Sequence, residues 1–462
     1  MRSFRRPRLI QADVKPAARP SAAPRAQAKE GRRGRSPVRG DVVAGAAAPR
    51  GDLPSAVDRG VIDTAVADGT LSLCPEATRV IDRITRSGFT AYLCGGCVRD
   101  LLLGGRPKDF DIVTSATPRQ VKRLFRNSRI IGRRFRLVHV TFPDKVLEVS
   151  TFRSALEPTD AKDLLIHQDN TFGTPAEDAF RRDFTVNGLF YDLAEHRVID
   201  FVGGLRDLNR RTIETIGDPW VRFREDPVRM LRAIKFASRL NFMLADDVYE
   251  ALIDCRTELR KAAPPRLLEE ILRLMNLGGA RDAARLLIRT GMMEDLCPEV
   301  HEVLDAWARR GDRGAWDAWW NLLAAFDAAV TAGEPVSNAR LFAVFFAPLF
   351  EREIEEGPPR GMSLDIEDGL SPMAARLRMA RKDTYRVRQM FHAQKRFASK
   401  PGTRRRFSPS MTARDWFEDA WFLFRLRAEA EGGALRDDAS WWAEALESDE
   451  MERRDHPGRD DA

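Results

Sequence analysis

Asp109 and Asp111 stand two residues apart in the run Lys108-Asp-Phe-Asp-Ile-Val-Thr114. On a strand that spacing turns both carboxylates to one face. Upstream, Gly95-Gly96 breaks a short apolar run that begins at Tyr92 and leads into Cys97-Val-Arg-Asp-Leu. A glycine turn of this kind lets backbone N–H groups approach a ligand closely, and a helix start behind it favours anions. Arg99 falls on the first turn of that helix, where it can reach a phosphate. Two oxygen ligands beside a phosphate-binding turn suit magnesium held against a triphosphate. No Gly-x4-Gly-Lys-Ser/Thr pattern competes for that role. Cys94-Gly-Gly-Cys97 also spells Cys-x-x-Cys. With no second such pair and dispersed histidines, small buried residues beside a tight turn explain it better than zinc or redox chemistry.

The elements that must hold these groups follow from the apolar pattern. A helix over 75–87 precedes the strand at Tyr92, and a helix over 98–103 leads to a strand over 109–113. Thr117-Pro118 supplies a cap and a proline at the first helical position. Alternation predicts strands over 137–142 and 145–152, with Glu148 in the middle of the second, where a glutamate ordinarily faces solvent. Residues 154–170 are polar and aperiodic and read as a mobile loop. Arg181-Arg-Asp-Phe-Thr-Val-Asn187 is expected to open a helix ending near Leu193, and Asp200 to Asp207 a strand and turn closing an α/β unit. Beyond Asp218 the pattern is helical. One helix is expected across 224–232 with Pro227 just inside it, so that Asp226, Arg229 and Arg232 share a face. Taken alone, that spacing fits intrahelical salt bridges as well as a ligand site.

The bulk numbers bound the rest. The chain has 462 residues, enough for two or three domains, and a net charge of +7. Residues 1–50 hold 13 Lys/Arg against 3 Asp/Glu, so the remainder is slightly acidic. Basic character is concentrated in patches, which favours a polyanion groove. One patch, 119–136, carries eight Lys/Arg and no acid and includes Arg133, Arg134 and Arg136. A second, 381–406, has ten Lys/Arg against one Asp and ends in Arg404, Arg405 and Arg406. Both are candidate RNA-backbone contacts, with solvated helix faces as the plainer reading. The Trp- and Phe-rich region 300–360 reads as core rather than as a base-stacking platform. Five scattered cysteines argue for a reducing interior. The longest apolar run, Leu341 to Phe350, is ten residues, too short to span a membrane.

Taken together, the Gly95-Gly96 turn, Asp109-x-Asp111, Arg-Arg-Asp-Phe-Thr-Val-Asn187 and Glu225-Asp226-x-x-Arg229 resemble the class II nucleotidyltransferases of the DNA polymerase β superfamily. These are the tRNA CCA-adding enzymes and bacterial poly(A) polymerases. The resemblance implies an α/β nucleotidyltransferase head with a mixed sheet, followed by an all-α neck, body and tail. The expected boundaries are a disordered Arg/Ala/Pro-rich leader (1–68), head (72–208), neck (209–300), RNA-binding body and tail (301–445) and an acidic disordered tail (446–462).

It further implies transfer of AMP from ATP to an RNA 3′-hydroxyl with release of pyrophosphate. Asp109, Asp111 and Glu148 would hold two Mg2+ ions, with Asp183 as a further active-site acid. Gly95, Gly96, Arg99, Arg182 and Arg232 would bind the triphosphate and Asn187 the sugar region. Asp226 and Arg229 would read the base as a complementary strand does. The run 122–140, Lys-Arg-Leu-Phe-Arg-Asn-Ser-Arg-Ile-Ile-Gly-Arg-Arg-Phe-Arg-Leu-Val-His-Val, resembles the poly(A) polymerase branch more than the CCA branch. The expected partners are therefore 3′ ends of mRNA or other single-stranded RNA. The alternatives are CCA addition to tRNA and an inactive RNA-binding protein. Cys97, where the family usually has glycine or alanine, and the long leader depart from the pattern. The expected compartment is the bacterial cytoplasm, with the Arg-rich start also resembling an organelle transit peptide.

Overall fold

β-Branched and aromatic residues in short alternating runs build one mixed sheet, and the strands that carry the acids lie at its centre. The computed structural model describes residues 62–65, 71–132, 136–154, 172–276, 278–350, 366–398 and 409–455. In chain order the head comprises β1 (Ile62–Ala65), α1 (Pro75–Arg86), β2 (Ala91–Cys94), α2 (Gly96–Leu102), β3 (Asp111–Thr114) and α3 (Pro118–Leu124). It continues with β4 (Ser128–Ile131), β5 (Leu137–Thr141), β6 (Val146–Thr151), α4 (Pro175–Phe180), β7 (Leu189–Asp192), β8 (Arg197–Asp200) and α5 (Gly204–Arg210). The eight strands run in the order β1-β8-β7-β2-β3-β6-β5-β4. Only β3 and β6 pair in parallel; the other neighbours are antiparallel.

Alternate side chains of these strands enter two apolar layers. Val80, Ile81 and Ile84 of α1 cover one face with Leu93, Ile112, Val138, Val140, Leu147 and Val149. On the other face Cys94, Val113, Phe152 and Phe190 form a smaller cluster with Tyr92. Burying each large apolar side chain contributes about 1.5–3 kcal/mol. Thr117 and Thr174 begin α3 and α4 with complete capping boxes and a proline in the first turn.

The structure departs from the sequence expectation in several places. Asp109 precedes β3 rather than sitting on it, because Pro107 and the exposed loop before it delay the strand to Asp111. Instead of a helix through Leu193, Arg181 caps α4, a single 3-10 turn spans Thr185–Asn187, and Leu189-Phe-Tyr-Asp192 pairs as a strand with β2 and β8. Cross-strand packing of those aromatic residues outweighs any helical continuation. Ile62–Ala65, inside the stretch read as leader, pairs with β8. A strand, β4, forms inside the basic run 119–136. At the far end, where a frayed acidic tail was expected, a helix continues to Asp455.

The remainder is largely helical. After the short strand β9 (Thr212–Ile213) come α6 (Pro219–Glu225), α7 (Val228–Leu240), β10 (Met243–Leu244), α8 (Asp246–Cys255) and α9 (Pro264–Met275). Then follow α10 (Ala280–Arg289), α11 (Met292–Leu296), α12 (Pro298–Arg310), α13 (Arg313–Thr331) and α14 (Asn338–Phe345). α15 (Ile366–Leu377), α16 (Arg381–Phe397), α17 (Pro409–Thr412), α18 (Phe417–Glu431) and α19 (Gly433–Asp455) complete the chain. The single helix expected across 224–232 is two. Asp226 is extended (φ −147°, ψ 94°), as a residue before proline prefers, and a new helix starts after Pro227. Trp319, Phe326, Phe342, Phe345 and Phe346 are fully buried, so most of the aromatic region is core. Among the described residues no helix is long and apolar enough to cross a membrane.

Candidate active site

The chain turns from β2 into α2 at Gly95, whose φ of +75° strains any other residue. A Cβ there would also lie 2.8 Å from Nη1 of Arg182. Glycine is thus needed both for the turn and for the guanidinium packed against it. Arg182 donates to Asp178 Oδ2 at 2.9 Å and sits 5.4 Å from the Phe190 ring centre. Arg99 lies beside Gly96. It is 2% exposed, donates to Asp100 Oδ1 at 2.8 and 2.7 Å and to Asn187 Oδ1 at 2.5 Å, and lies over Phe236. It holds Asn187 and lines the cleft together with Gly95 and Gly96.

Parallel register places Asp111 of β3 directly beside Glu148 of β6. The Asp111 carboxyl is raised above the usual carboxylate range by loss of solvent around it, then by Glu148 and Asp109, with Arg182 opposing. Glu148 is 54% exposed and meets His139 Nε2 at 3.3 Å. Among the described residues no three His, Cys, Asp or Glu side chains converge as a ready metal cage. The donor set still fits a hard divalent cation. Magnesium commonly takes one or two carboxylates and completes its shell with water and substrate phosphates. A cation beside Asp111 would also relieve the repulsion that raises its carboxyl.

Asp183 ties this wall to the neck. Its Oδ2 receives Arg232 of α7 at 2.7 and 2.6 Å, and its Oδ1 receives Asn187 at 3.3 Å. Burial opposes ionisation of Asp183, yet Arg232, Asn187 and the Phe184 N–H together hold its carboxyl below the usual range. Asp226 and Arg229 both line the same cleft, but among the described residues their side chains do not pair with each other. Asp226 Oδ2 receives Arg266 of α9 at 2.8 Å, while its buried Oδ1 has no hydrogen-bond partner among the described residues. Arg229 Nη1 donates to Glu225 at 2.9 Å and to the Arg222 carbonyl at 3.1 Å. Arg222 in turn donates to the carbonyls of Arg181 and Arg182 at 3.0 and 2.7 Å, clipping the neck to the head.

Two clefts meet at the acids. The first, about 790 Å³, takes in Gly95, Gly96, Arg182, Asn187, Asp226 and Arg229. The second, about 1360 Å³, takes in Glu148, His139 and Lys145. Asp109, Asp111, Arg232 and Arg273 line both.

Three family models match this chain. They are the poly A polymerase head domain over residues 91–214, the probable RNA and SrmB-binding site of polymerase A over 241–304, and the polymerase A arginine-rich C-terminus over 358–461. The chain is 36% identical over 384 residues to poly(A) polymerase I of Salmonella typhi, covering 80% of this chain and 81% of that one. It is 35% identical over 222 residues to the CCA-adding enzyme of Bacillus velezensis, covering 48% of this chain and 55% of that enzyme. The chain belongs to the family of poly(A) polymerases and CCA-adding enzymes. This nucleotidyltransferase also shares its fold with the solved Bacillus stearothermophilus CCA-adding enzyme in complex with CTP. The TM-score is 0.59 at 25% identity, covering 81% and 83% of the two chains.

Sequence reasoning missed the part of the nucleotidyltransferase cleft built by α9, where Arg266, Glu269, Glu270 and Arg273 face in. A signal existed: Lys235 and Glu270 are charged residues at apolar positions of their helices, and they form a buried pair at 2.8 Å. Of the basic residues assigned to RNA, Arg136 is exposed and lines neither cleft. Arg133, Arg134 and Arg404 to Arg406 lie outside the described residues, as do 155–170 of the expected loop.

Proposed function

We propose that this nucleotidyltransferase is a template-independent poly(A) polymerase that adds AMP from ATP to RNA 3′ ends. The observation that carries the reading is the pinning of the base-facing pair. Asp226 is held by Arg266 and Arg229 by Glu225, which fixes the Asp226 carboxylate as acceptor and the unused guanidinium nitrogens of Arg229 as donors. Adenine offers a matching exocyclic amine and ring nitrogen. A site braced on both sides keeps one width, which suits a single nucleotide better than alternation between cytosine and adenine. The match to poly(A) polymerase I along four fifths of both chains supports the same choice.

In this reading Arg182 and Arg232, with the N–H groups of the Gly95-Gly96 turn, hold the triphosphate in the first cleft. Asn187, oriented by Arg99, meets the sugar. The RNA 3′ end comes from the second cleft, so the acids shared by both stand between hydroxyl and α-phosphate. Asp109, Asp111 and Glu148 would hold the magnesium, two ions in the full proposal, which when bound neutralises charge on the phosphates and favours the ionised hydroxyl. The new bond joins the RNA 3′ oxygen to the α-phosphorus; the bond to the β-phosphate oxygen breaks and pyrophosphate leaves. CCA addition is the second reading, favoured by the shared fold with the CCA-adding enzyme. Each nucleotide supplied singly to a generic RNA and to tRNA lacking its CCA end separates them. Long A tails on unrelated RNA are expected; addition of C, C and A to tRNA followed by a stop would overturn the proposal.

A further inference from the structure

The aromatic cluster of the body is not wholly core. Trp307 and Trp319 are buried, but Trp316 and Trp320, one turn apart on α13, are only partly covered. Their rings stack at 6.0 Å with an interplanar angle of 27°. Neither indole N–H has a hydrogen-bond partner within the described residues. The Arg285 guanidinium of α10 lies 5.8 Å from the Trp320 ring centre. Arg281, Arg285 and Arg289 recur every four residues along α10, and Arg313 stands one turn before Trp316 on α13. Arg285 is paired with Asp282. Arg281, Arg289 and Arg313 form no ion pair within the described residues. Arg281 also keeps a buried Nε with no partner.

We infer that this face is a track for the single-stranded RNA that trails behind the 3′ end. Aromatic faces accept any base by stacking, and flanking guanidiniums follow the phosphates; together they bind single strands without a sequence code. The face is also well placed: α10 packs against α7, the helix that carries Arg232 into the active site. The acids there are engaged except one: Asp282 pairs with Arg285, Asp327 accepts the Ala280 and Arg281 N–H groups and Asp312 caps α13, which leaves Asp317 exposed on α13. The inference rests on the polymerase reading for the identity of the strand. It extends that reading to a place where neither the catalytic acids nor the base-reading residues are involved.

Its test separates binding from chemistry. The full-length protein is titrated with an oligoadenylate of about twenty nucleotides, longer than the ~4–16 that one binding module covers. Tryptophan fluorescence should be quenched, and less so in Trp316→Phe/Trp320→Phe, which keeps the stack. Arg281→Gln/Arg289→Gln/Arg313→Gln changes no core residue. It should weaken binding about tenfold and lower the slope of log affinity against log salt by about 2, at ~0.7 per phosphate contact. AMP addition to a saturating trinucleotide primer should stay at the wild-type rate. Unchanged affinity and slope in the triple variant, or quenching equal in the Phe variant and wild type, overturns the track. If the enzyme proves to add only C, C and A to tRNA while the triple variant still loses affinity, the polymerase reading falls and the track stands.

Discussion

Asp111 and Glu148 are direct register partners across the parallel pair β3 and β6, so one peptide step in either strand would separate them. The same residue of β6 faces His139 on its other neighbour, β5. Three side chains that line the clefts therefore stand in one row across the sheet, fixed by backbone hydrogen bonds rather than by loops. Asp111→Ala should lower AMP incorporation by at least about a hundredfold, the scale of losing one electrostatic stabiliser. The circular dichroism spectrum and RNA affinity should be unchanged. Activity near wild type would remove Asp111 from the chemistry.

Arg232 leaves Asp183 as a buried, unpaired carboxylate when it is removed. Arg232→Ala should cost about 1–3 kcal/mol of stability, the scale for leaving a buried polar group short of a partner. The cost stays in that range because Arg232 is one-third exposed and Asp183 keeps its bonds from Asn187 and the Phe184 N–H. Asp183→Ala combined with Arg232→Ala should cost less than the two single changes added together. Urea midpoints for the four proteins supply the cycle. Strict additivity would show that the pair is not coupled.

Base choice should follow the pinned pair and its braces. Arg229→Ala should erode the preference for ATP over CTP by roughly 10- to 100-fold, matching about 1–3 kcal/mol for a lost base contact. Arg266→Ala should relax the same preference by freeing Asp226, with a smaller effect on the rate with ATP. Initial rates with each nucleotide at equal concentration read both. A preference unchanged in both variants would place base selection elsewhere.

Glu214, just after β9, gives a pH signature unrelated to catalysis. Burial, then Asp247 and Asp207, push its carboxyl up to about 7. The folded state thus prefers the protonated form, and this contribution is lost as pH rises from the unfolded carboxylate value through about 7. Glu214→Gln should therefore raise the melting temperature at pH 8 and change it little at pH 4. An equal shift at both values would mean that the charge is not the cause.

How far the sequence carries can be judged residue by residue. The Gly95-Gly96 turn and the acids at 109 and 111 stand out by residue type and spacing, those at 148 and 183 only through the family resemblance, and the structure sets all of them along the two adjoining clefts. The chain after Arg181 misled, since its helix-friendly start gives way to an aromatic strand whose partners, β2 and β8, are far away in sequence. Asp226 and Arg229 were found, but not their geometry. A proline at 227 breaks the helix between them, and their true partners, Arg266 and Glu225, follow from tertiary packing. Arg99 was read as a phosphate contact from its place on the helix and from the resemblance; its bonds to Asp100 and Asn187 follow from packing that no spacing reveals.

The Arg222 clip has a mechanical meaning. One guanidinium nitrogen grips the backbone of Arg181 and Arg182, and the same residue's carbonyl steadies Arg229. The proposed phosphate end and base end of the nucleotide site are thus two jaws of a single caliper with its gap locked. A nucleotide would be gauged by its whole span, from triphosphate to base edge, and a pyrimidine would fall short at one jaw whenever it was seated at the other.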